Sequence, residues 1–329
     1  MTEPTSPTEP TSPRPGSQFT IEGRAAPALF VIGWLGSVLG LGLAVVGILG
    51  GGGFGAQILI VVGMALLAIG LIAAAGAQTM ERRGDADRTY VGPSPLLIFA
   101  ATIPLSYLVA VAVGAPLDAL GTQVDRPVAE LLLITLQAGV TLGVIRLVVV
   151  GPGGLSWADI GIVRSSRGVL GDLVWGAVIA GPAILVTILV SAVLIVVFAV
   201  APASPLPPTG SGTGLVLHLI AGALIAPFAE EVMFRGVATT AWVRSNGARA
   251  GIVKAAILFA GAHVLLVGGD STGEAFALMA VGFFGRLPVA LILGWVFVRR
   301  RTIWAPFGLH AMFNGVLIVL AELATAAGT

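Results

Sequence analysis

The chain has 329 residues, of which 57% are hydrophobic and only 10% charged, against about 25% charged in ordinary soluble domains. Seventeen Lys and Arg against sixteen Asp and Glu leave a net charge of +1, so no basic field exists to hold nucleic acid. The absence of cysteine excludes disulfides, thiolate zinc sites and cysteine nucleophiles, and the composition as a whole is that of an integral membrane protein.

In chain order, residues 1–27 form a Pro/Thr-rich tail that contains a tandem hexad, TEPTSP at 2–7 and again at 8–13. Such a segment cannot bury apolar area and is expected to be a disordered, polyproline-like extension. It has no basic start or cleavage motif, so a signal peptide is not expected. A hydrocarbon core about 30 Å thick needs roughly 20 apolar residues per helix. Stretches of that kind fall at 28–50, 56–77, 95–114, 131–150, 173–200, 214–235, 253–268, 275–298 and 303–321. The expected fold is therefore all-α, a polytopic transmembrane helix bundle of eight to nine spans. Only the run Gly50 to Gly53 separates the first two spans, and Gly36 and Gly40 form a GxxxG pair suited to close helix packing. The 173–200 run carries Pro182, and 253–268 is short enough to suggest a helix buried among others. Residues 155–163 read either as a short interfacial helix or as a plain loop.

Basic residues concentrate in alternate loops: Arg82, Arg83 and Arg88, then Arg164 and Arg167, then Arg244, Arg249 and Lys254, then Arg299, Arg300 and Arg301. The opposite loops hold Arg126 alone. By the positive-inside rule this places the N-terminus in the cytoplasm. All but one of the basic residues are Arg, with an excess of Ala, Gly and Val, a bias associated with GC-rich bacterial genes; the expected location is a bacterial plasma membrane.

An ionisable side chain near mid-bilayer costs roughly 2.5–3.5 kcal/mol or more, so such residues mark candidate sites. Glu130 and Arg146 lie at the two ends of the fourth span, and His218, near the outer end of the sixth, reads as a packed or interfacial histidine. Arg286, beside Pro288, either pairs with a carboxylate across helices or lines a cavity. The dense cluster begins at Pro227-Phe228-Ala229-Glu230-Glu231-Val232-Met233-Phe234-Arg235. Glu231 and Arg235, at i,i+4, can pair along one helix face, leaving Glu230 free to face a cavity as a general base. The seventh run places His263 four residues after Phe259, among small residues, and the last places His310 and Asn314 on one face. Pro227 and Pro306 stand just before the two carboxylates and His310 and can open the backbone there. Burying two carboxylates, two imidazoles and an amide at similar depth without a purpose would be costly.

The ordered set EExxxR (Glu230, Glu231, Arg235), FxxxH (Phe259, His263) and HxxxN (His310, Asn314) resembles the CAAX prenyl protease and bacteriocin-processing (CPBP) family. The stretch Gly294 to Asn314, GWVFVRRRTIWAPFGLHAMFN, is similar to that family's last motif region. The resemblance covers roughly 214–320, which divides the chain into the tail 1–27, N-terminal transmembrane helices over 28–213, and a catalytic transmembrane region over 214–321. It implies an intramembrane endopeptidase that acts near the cytoplasmic face. Glu230 would activate a water that His263 holds, and His310 and Asn314 would stabilise the oxyanion. Glu231, Arg235 and Phe259 would support the site. The implied partners are a peptide or membrane-anchored protein substrate and membrane lipids.

Two imidazoles and a carboxylate match a His₂Glu zinc set in ligand type, with Glu230, His263 and His310 as the ligands. HExxH is absent and the candidates come from three helices, so the reading without cofactor is preferred and zinc is the alternative. Neither the GxSxG of serine enzymes nor the GxGD of aspartyl intramembrane proteases is found. Two other classes compete: a non-catalytic membrane binding or immunity protein with the same cavity, and a transporter using Glu230 and His263 as a proton relay. The latter would call for inverted repeats or paired broken helices, of which the sequence gives no sign.

Overall fold

The computed structural model describes residues 21, 23–202 and 206–328; the expected tail over 1–27 lies almost wholly outside them. The described residues form helices joined by turns, without strands, and make nine helices, eight of them long and apolar enough to cross a membrane. We label them α1 (Pro27–Leu49), α2 (Phe54–Arg83), α3 (Pro95–Ala119), α4 (Arg126–Val150), α5 (Gly168–Phe198), α6 (Gly212–Asn246), α7 (Ala248–Ala262), α8 (Thr272–Arg300) and α9 (Trp304–Gly328). The exposed side chains on α1 and α5 are mainly Val, Leu and Ile, as expected of faces turned to lipid.

Glycines set the two closest helix contacts. Gly51, Gly52 and Gly53 adopt φ of 74°, 97° and 93°, a left-handed run that side chains disfavour, and the chain reverses there between α1 and α2. A Cβ on Gly40 would collide with the backbone of Leu67, and one on Gly63 would lie 2.5 Å from Ala44 N. The GxxxG of α1 therefore packs against α2 backbone to backbone. On the other side of the bundle a Cβ on Gly176 of α5 would strike the Ala305 carbonyl, and one on Gly308 of α9 would strike that of Leu173. This reciprocal contact fixes the start of α9, and with it His310.

One expected span needs correction, and one open alternative is decided. The seventh expected span, 253–268, is the 15-residue helix α7, ending at Ala262; at 1.5 Å per residue it is ~22 Å long and cannot cross a 30 Å core. The chain continues as turns over 263–271. A Cβ on Gly294 would meet Ile252, and one on Gly282 would meet Val264, so α7 runs antiparallel to α8 and stops beside its middle. The place where α7 breaks is His263. Residues 155–163, open between a short interfacial helix and a plain loop, take the loop form. They are turns, with Leu155 and Ile160 buried, and Ile160 is the side chain that a Cβ on Gly236 of α6 would strike.

Contacts gather the basic connections at one end of the bundle. The Thr89 hydroxyl donates to the Arg244 carbonyl at 2.7 Å, Arg244 pairs with Asp159, and Arg300 pairs with the buried Asp172 at 2.5 Å while covering the Trp175 ring. At the other end Glu130 joins Arg126, at 2.9 Å, to His218, at 2.6 Å. Glu130 and His218 are thus partners of each other, and the polarity of both is satisfied locally.

Candidate active site

The candidate site is built on α6, whose backbone alternates between two geometries: α-helical over Gly212–His218, π-helical over Leu219–Ile225, α-helical over Ala226–Glu230, π-helical over Glu231–Thr239 and α-helical to Asn246. Wide π-turns are rare and concentrate at functional sites; neither composition nor periodicity signals them. Pro227 supplies part of the cause. Ala226 N–H reaches back to the Ala221 carbonyl, and Pro227, the next donor in π register, has no N–H. The Gly222 carbonyl is left open, and Asn314 Nδ2 of α9 donates to it at 2.8 Å.

Glu231 begins the second π-helix and is fully buried. Its Oε1 accepts from His310 Nδ1 at 2.7 Å and lies 3.1 Å from Arg235 Nη1. Arg235, also buried, donates through Nη2 to the Ala290 carbonyl at 3.4 Å. Its guanidinium carbon stands 4.4 Å from the centre of the Phe259 ring. That ring packs as well against both imidazoles, with centroids 4.4 Å from His263 and 5.7 Å from His310. Phe259 is thus the apolar wedge between the cation and the two histidines, at a spacing for which cation–π attraction adds to packing.

The break in α7 orients His263. With the helix finished, the Phe259 carbonyl lacks its backbone donor, and His263 Nδ1 donates to it at 2.8 Å. A carbonyl only accepts, so Nδ1 carries the proton and Nε2 of the neutral ring presents a lone pair. That nitrogen lies 3.8 Å from Glu230 Oε2, and His310 Nε2 lies 3.7 Å from the same oxygen. Glu230 Oε2 is itself buried and has no hydrogen-bond partner among the described residues. Three polar atoms, from α6, from the turn after α7 and from α9, thus face one point. Glu230 turns toward this point while Glu231, about 100° round the helix, turns into the core.

Glu230 and His263 stand at the junction of two cavities of about 600 and 610 Å³, within the range of small-ligand sites. The first lies between α5, α8 and α9 and reaches Arg286, His310 and Asn314. The second lies between α3, α4, α6 and α7 and is lined mainly by apolar side chains such as Phe99, Met233 and Leu266. Gln137 of α4 borders both; its mid-span amide lies outside the sequence motifs, and only the fold brings it to the site.

Glu230, His263 and His310 suit zinc in donor type. Ligands 2.0–2.1 Å from a tetrahedral zinc are ~3.3 Å apart, less than the 3.7 and 3.8 Å observed from Glu230 Oε2. Among the described residues no three His, Cys, Asp or Glu are grouped closely enough to hold a metal ion. Hydrogen bonds of ~2.8 Å to one water do span these separations.

Residues 212–316 match the family model of type II CAAX prenyl endopeptidase Rce1-like proteins, in agreement with the resemblance to the CPBP family carried by the three motifs. The matched segment contains every motif residue, from Glu230 to Asn314, and about a third of the chain. No curated protein and no solved structure matches this chain.

Proposed function

We propose that the protein is an intramembrane endopeptidase in which Glu230 activates a water molecule. The observation that carries this reading is the unpartnered Glu230 Oε2 facing His263 Nε2 and His310 Nε2 at 3.8 and 3.7 Å, at the meeting point of two cavities. A water there donates one hydrogen to Glu230 and the other to the lone pair of His263. Glu230 takes its proton as the oxygen attacks the peptide carbonyl, forming the C–O bond of a tetrahedral intermediate. The same carboxyl then gives the proton to the departing nitrogen as the C–N bond breaks. The oxyanion is met by the second hydrogen of Asn314 Nδ2, the first being held by Gly222, and by His310 when its ring carries both protons. The Glu231 carboxylate accepts from Nδ1 and so fixes Nε2 as the nitrogen that turns to the site.

The substrate class that fits is a peptide or membrane-anchored protein. The site is nearest the end of the bundle that bears the basic connections, since Gly236, less than two turns beyond Glu230, already packs on Ile160 of the 151–167 connection. With those connections cytoplasmic, cleavage takes place in the cytoplasmic half of the membrane.

The test is cleavage of quenched peptides by the protein in nanodiscs, with Glu230→Gln as the comparison. Loss of at least ~10²-fold in kcat, insensitive to chelator, supports the glutamate–water mechanism. Chelator inhibition reversed by zinc transfers the role to a metal held by Glu230, His263 and His310. Cleavage unchanged by Glu230→Gln rejects the assignment. A Glu230→Gln protein that keeps its biological effect indicates a binding or immunity role.

A further inference from the structure

Five described residues border both cavities: Ile134 and Gln137 of α4, Ala226 and Glu230 of α6, and His263. Three of them are polar. Glu230 and His263 belong to the motifs, whereas Gln137 lies on a helix outside the matched segment 212–316. The Glu130–His218 pair joins α4 to α6 at their outer ends. Gln137 lies about two turns beyond Glu130, and Ala226 about two turns beyond His218. As α4 also packs against Ala226–Glu230, Gln137 stands beside the turn that leads into Glu230.

Gln137 occupies the middle of the apolar span Arg126–Val150. Its main-chain carbonyl accepts from the Thr141 hydroxyl at 2.9 Å, but its side-chain amide has no hydrogen-bond partner among the described residues. A polar group left alone in an apolar medium is costly. An amide that served only to hold neighbouring helices together would be paired with one of them. This one borders open space.

A second group in the same condition lies on α3. The hydroxyls of Thr102, Thr135 and Thr141 donate to carbonyls of their own helices at 2.7, 2.7 and 2.9 Å, the usual outlet for a hydroxyl in an apolar helix. Ser106, one turn beyond Thr102, does not. Its Oγ is buried without a hydrogen-bond partner among the described residues, and the residue lines the second cavity together with Gln137. The amide offers one acceptor and two donors, and the hydroxyl offers one donor with acceptor capacity. Neither is charged, so neither selects an ion. Both match a peptide unit, which carries one N–H and one C=O.

A peptide carbonyl inside a helix is hydrogen-bonded within its own turns, so the chain around the scissile bond must be extended before a water reaches it. Its N–H and C=O groups then need new partners, because the bilayer core supplies none. We infer that Gln137 hydrogen-bonds the substrate main chain at the peptide unit next to the scissile one, while Ser106 holds a further unit in the second cavity. This rests on the endopeptidase reading and adds how the substrate is held at the junction: by its backbone, whatever its side chains. The two unpaired groups of α3 and α4 thus replace hydrogen bonds that the substrate gives up when it unwinds.

The experiment uses the full chain in nanodiscs and one quenched, dye-labelled peptide of Ala and Leu, in which an ester replaces each backbone amide in turn except the one that is cut. The ester keeps the carbonyl and the chain length and removes the N–H. Values of kcat/KM are compared for wild type, Gln137→Leu and Ser106→Ala. Binding of the same peptides is followed by fluorescence anisotropy in a Glu230→Gln background, with and without Gln137→Leu. In the wild type an ester beside the cleaved bond lowers kcat/KM roughly 3–10-fold. Gln137→Leu lowers it by a similar factor for the all-amide peptide, and the ester then adds no further loss. An ester farther into the second cavity stands in the same relation to Ser106→Ala; lack of that relation removes Ser106 alone. A role in helix packing would lower kcat/KM for amide and ester peptides alike. That result, or indifference to the ester at every position, overturns the main-chain contact and leaves the endopeptidase reading intact if cleavage is seen. Ester-sensitive binding that Gln137→Leu abolishes, without cleavage of any peptide, refutes the endopeptidase reading and leaves the contact standing.

Discussion

Glu231 holds His310 by its Nδ1 at 2.7 Å across 79 residues of sequence, and the same carboxylate oxygen lies 3.1 Å from Arg235. One buried oxygen thereby joins the helix that carries the proposed base to the helix that carries His310. The acidic pair in α6 is divided in labour by helix geometry: Glu231 orients, and Glu230 faces the cavities.

Removal of one member of this charge set should be worse than removal of two. Glu231→Gln keeps the size of the side chain but strands the Arg235 guanidinium, and a loss of about 3–5 kcal/mol is expected. The double variant Glu231→Gln/Arg235→Met should recover most of that loss while activity stays low, because His310 lacks its charged acceptor. Unfolding in detergent together with peptide cleavage checks both parts. Recovery of activity along with stability would show that the carboxylate does not orient the ring.

The open carbonyl of Gly222 predicts a coupling between Pro227 and Asn314. Pro227→Ala supplies a backbone N–H in the register of Gly222, so Asn314→Ala should cost less stability in that background than in the wild type. A double-mutant cycle should return about 1 kcal/mol of coupling. Additive effects would mean that the hydrogen bond at 2.8 Å does not depend on the proline.

Glycine substitutions separate scaffold from site. Gly42→Ala meets nothing within 4 Å and should be neutral within about 0.5 kcal/mol. Gly40→Ala forces α1 from α2 and Gly176→Ala forces α5 from α9, each costing about 1–3 kcal/mol or more through overpacking. Only Gly176→Ala moves the helix that carries His310 and Asn314, so only it should reduce kcat in the protein that remains folded. Equal kinetic effects of the two would dissociate His310 placement from the α5–α9 contact.

Asp159 provides a pH dependence outside the membrane segments. The Ser156 N–H, and then the hydroxyl of Ser156 and the Arg244 guanidinium, hold its carboxyl below the ordinary value of about 3.8 in spite of partial burial. A depressed folded value means that the stabilisation is present above the unfolded value and is lost as pH falls through the folded one. Melting temperature should therefore decline below about pH 4, by a small amount because the pair is about one-third exposed. Asp159→Asn should remove this part of the acid dependence; an identical profile in the variant would place it elsewhere.

The core of the candidate site is legible in the order of the motifs alone. Charged and polar residues are so scarce in these apolar runs that Glu230, Glu231, Arg235, His263, His310 and Asn314 stand out individually. Membrane thickness against hydrophobic length likewise gives the helix count to within one, and the GxxxG of α1 indicates a close contact. Local rules end where hydrogen bonding is decided by a neighbour. That α7 stops at Ala262 follows from no strong breaker in its sequence, and the π-turns of α6 depend on Pro227 together with an amide from α9. Likewise Ile160 is one apolar residue among many until Gly236 receives it.

The sequence by itself determined the membrane class, the number of apolar runs and the identity of the groups that need a polar environment, because each depends on composition and periodicity along one segment. Tertiary structure alone decided which nitrogen of each histidine faces Glu230, where α7 breaks, and that Arg286, Thr187 and Gln137 border the same space. These are relations between helices far apart in the chain, set by close glycine contacts and by hydrogen bonds between buried groups, such as His310 to Glu231 and Asn314 to Gly222.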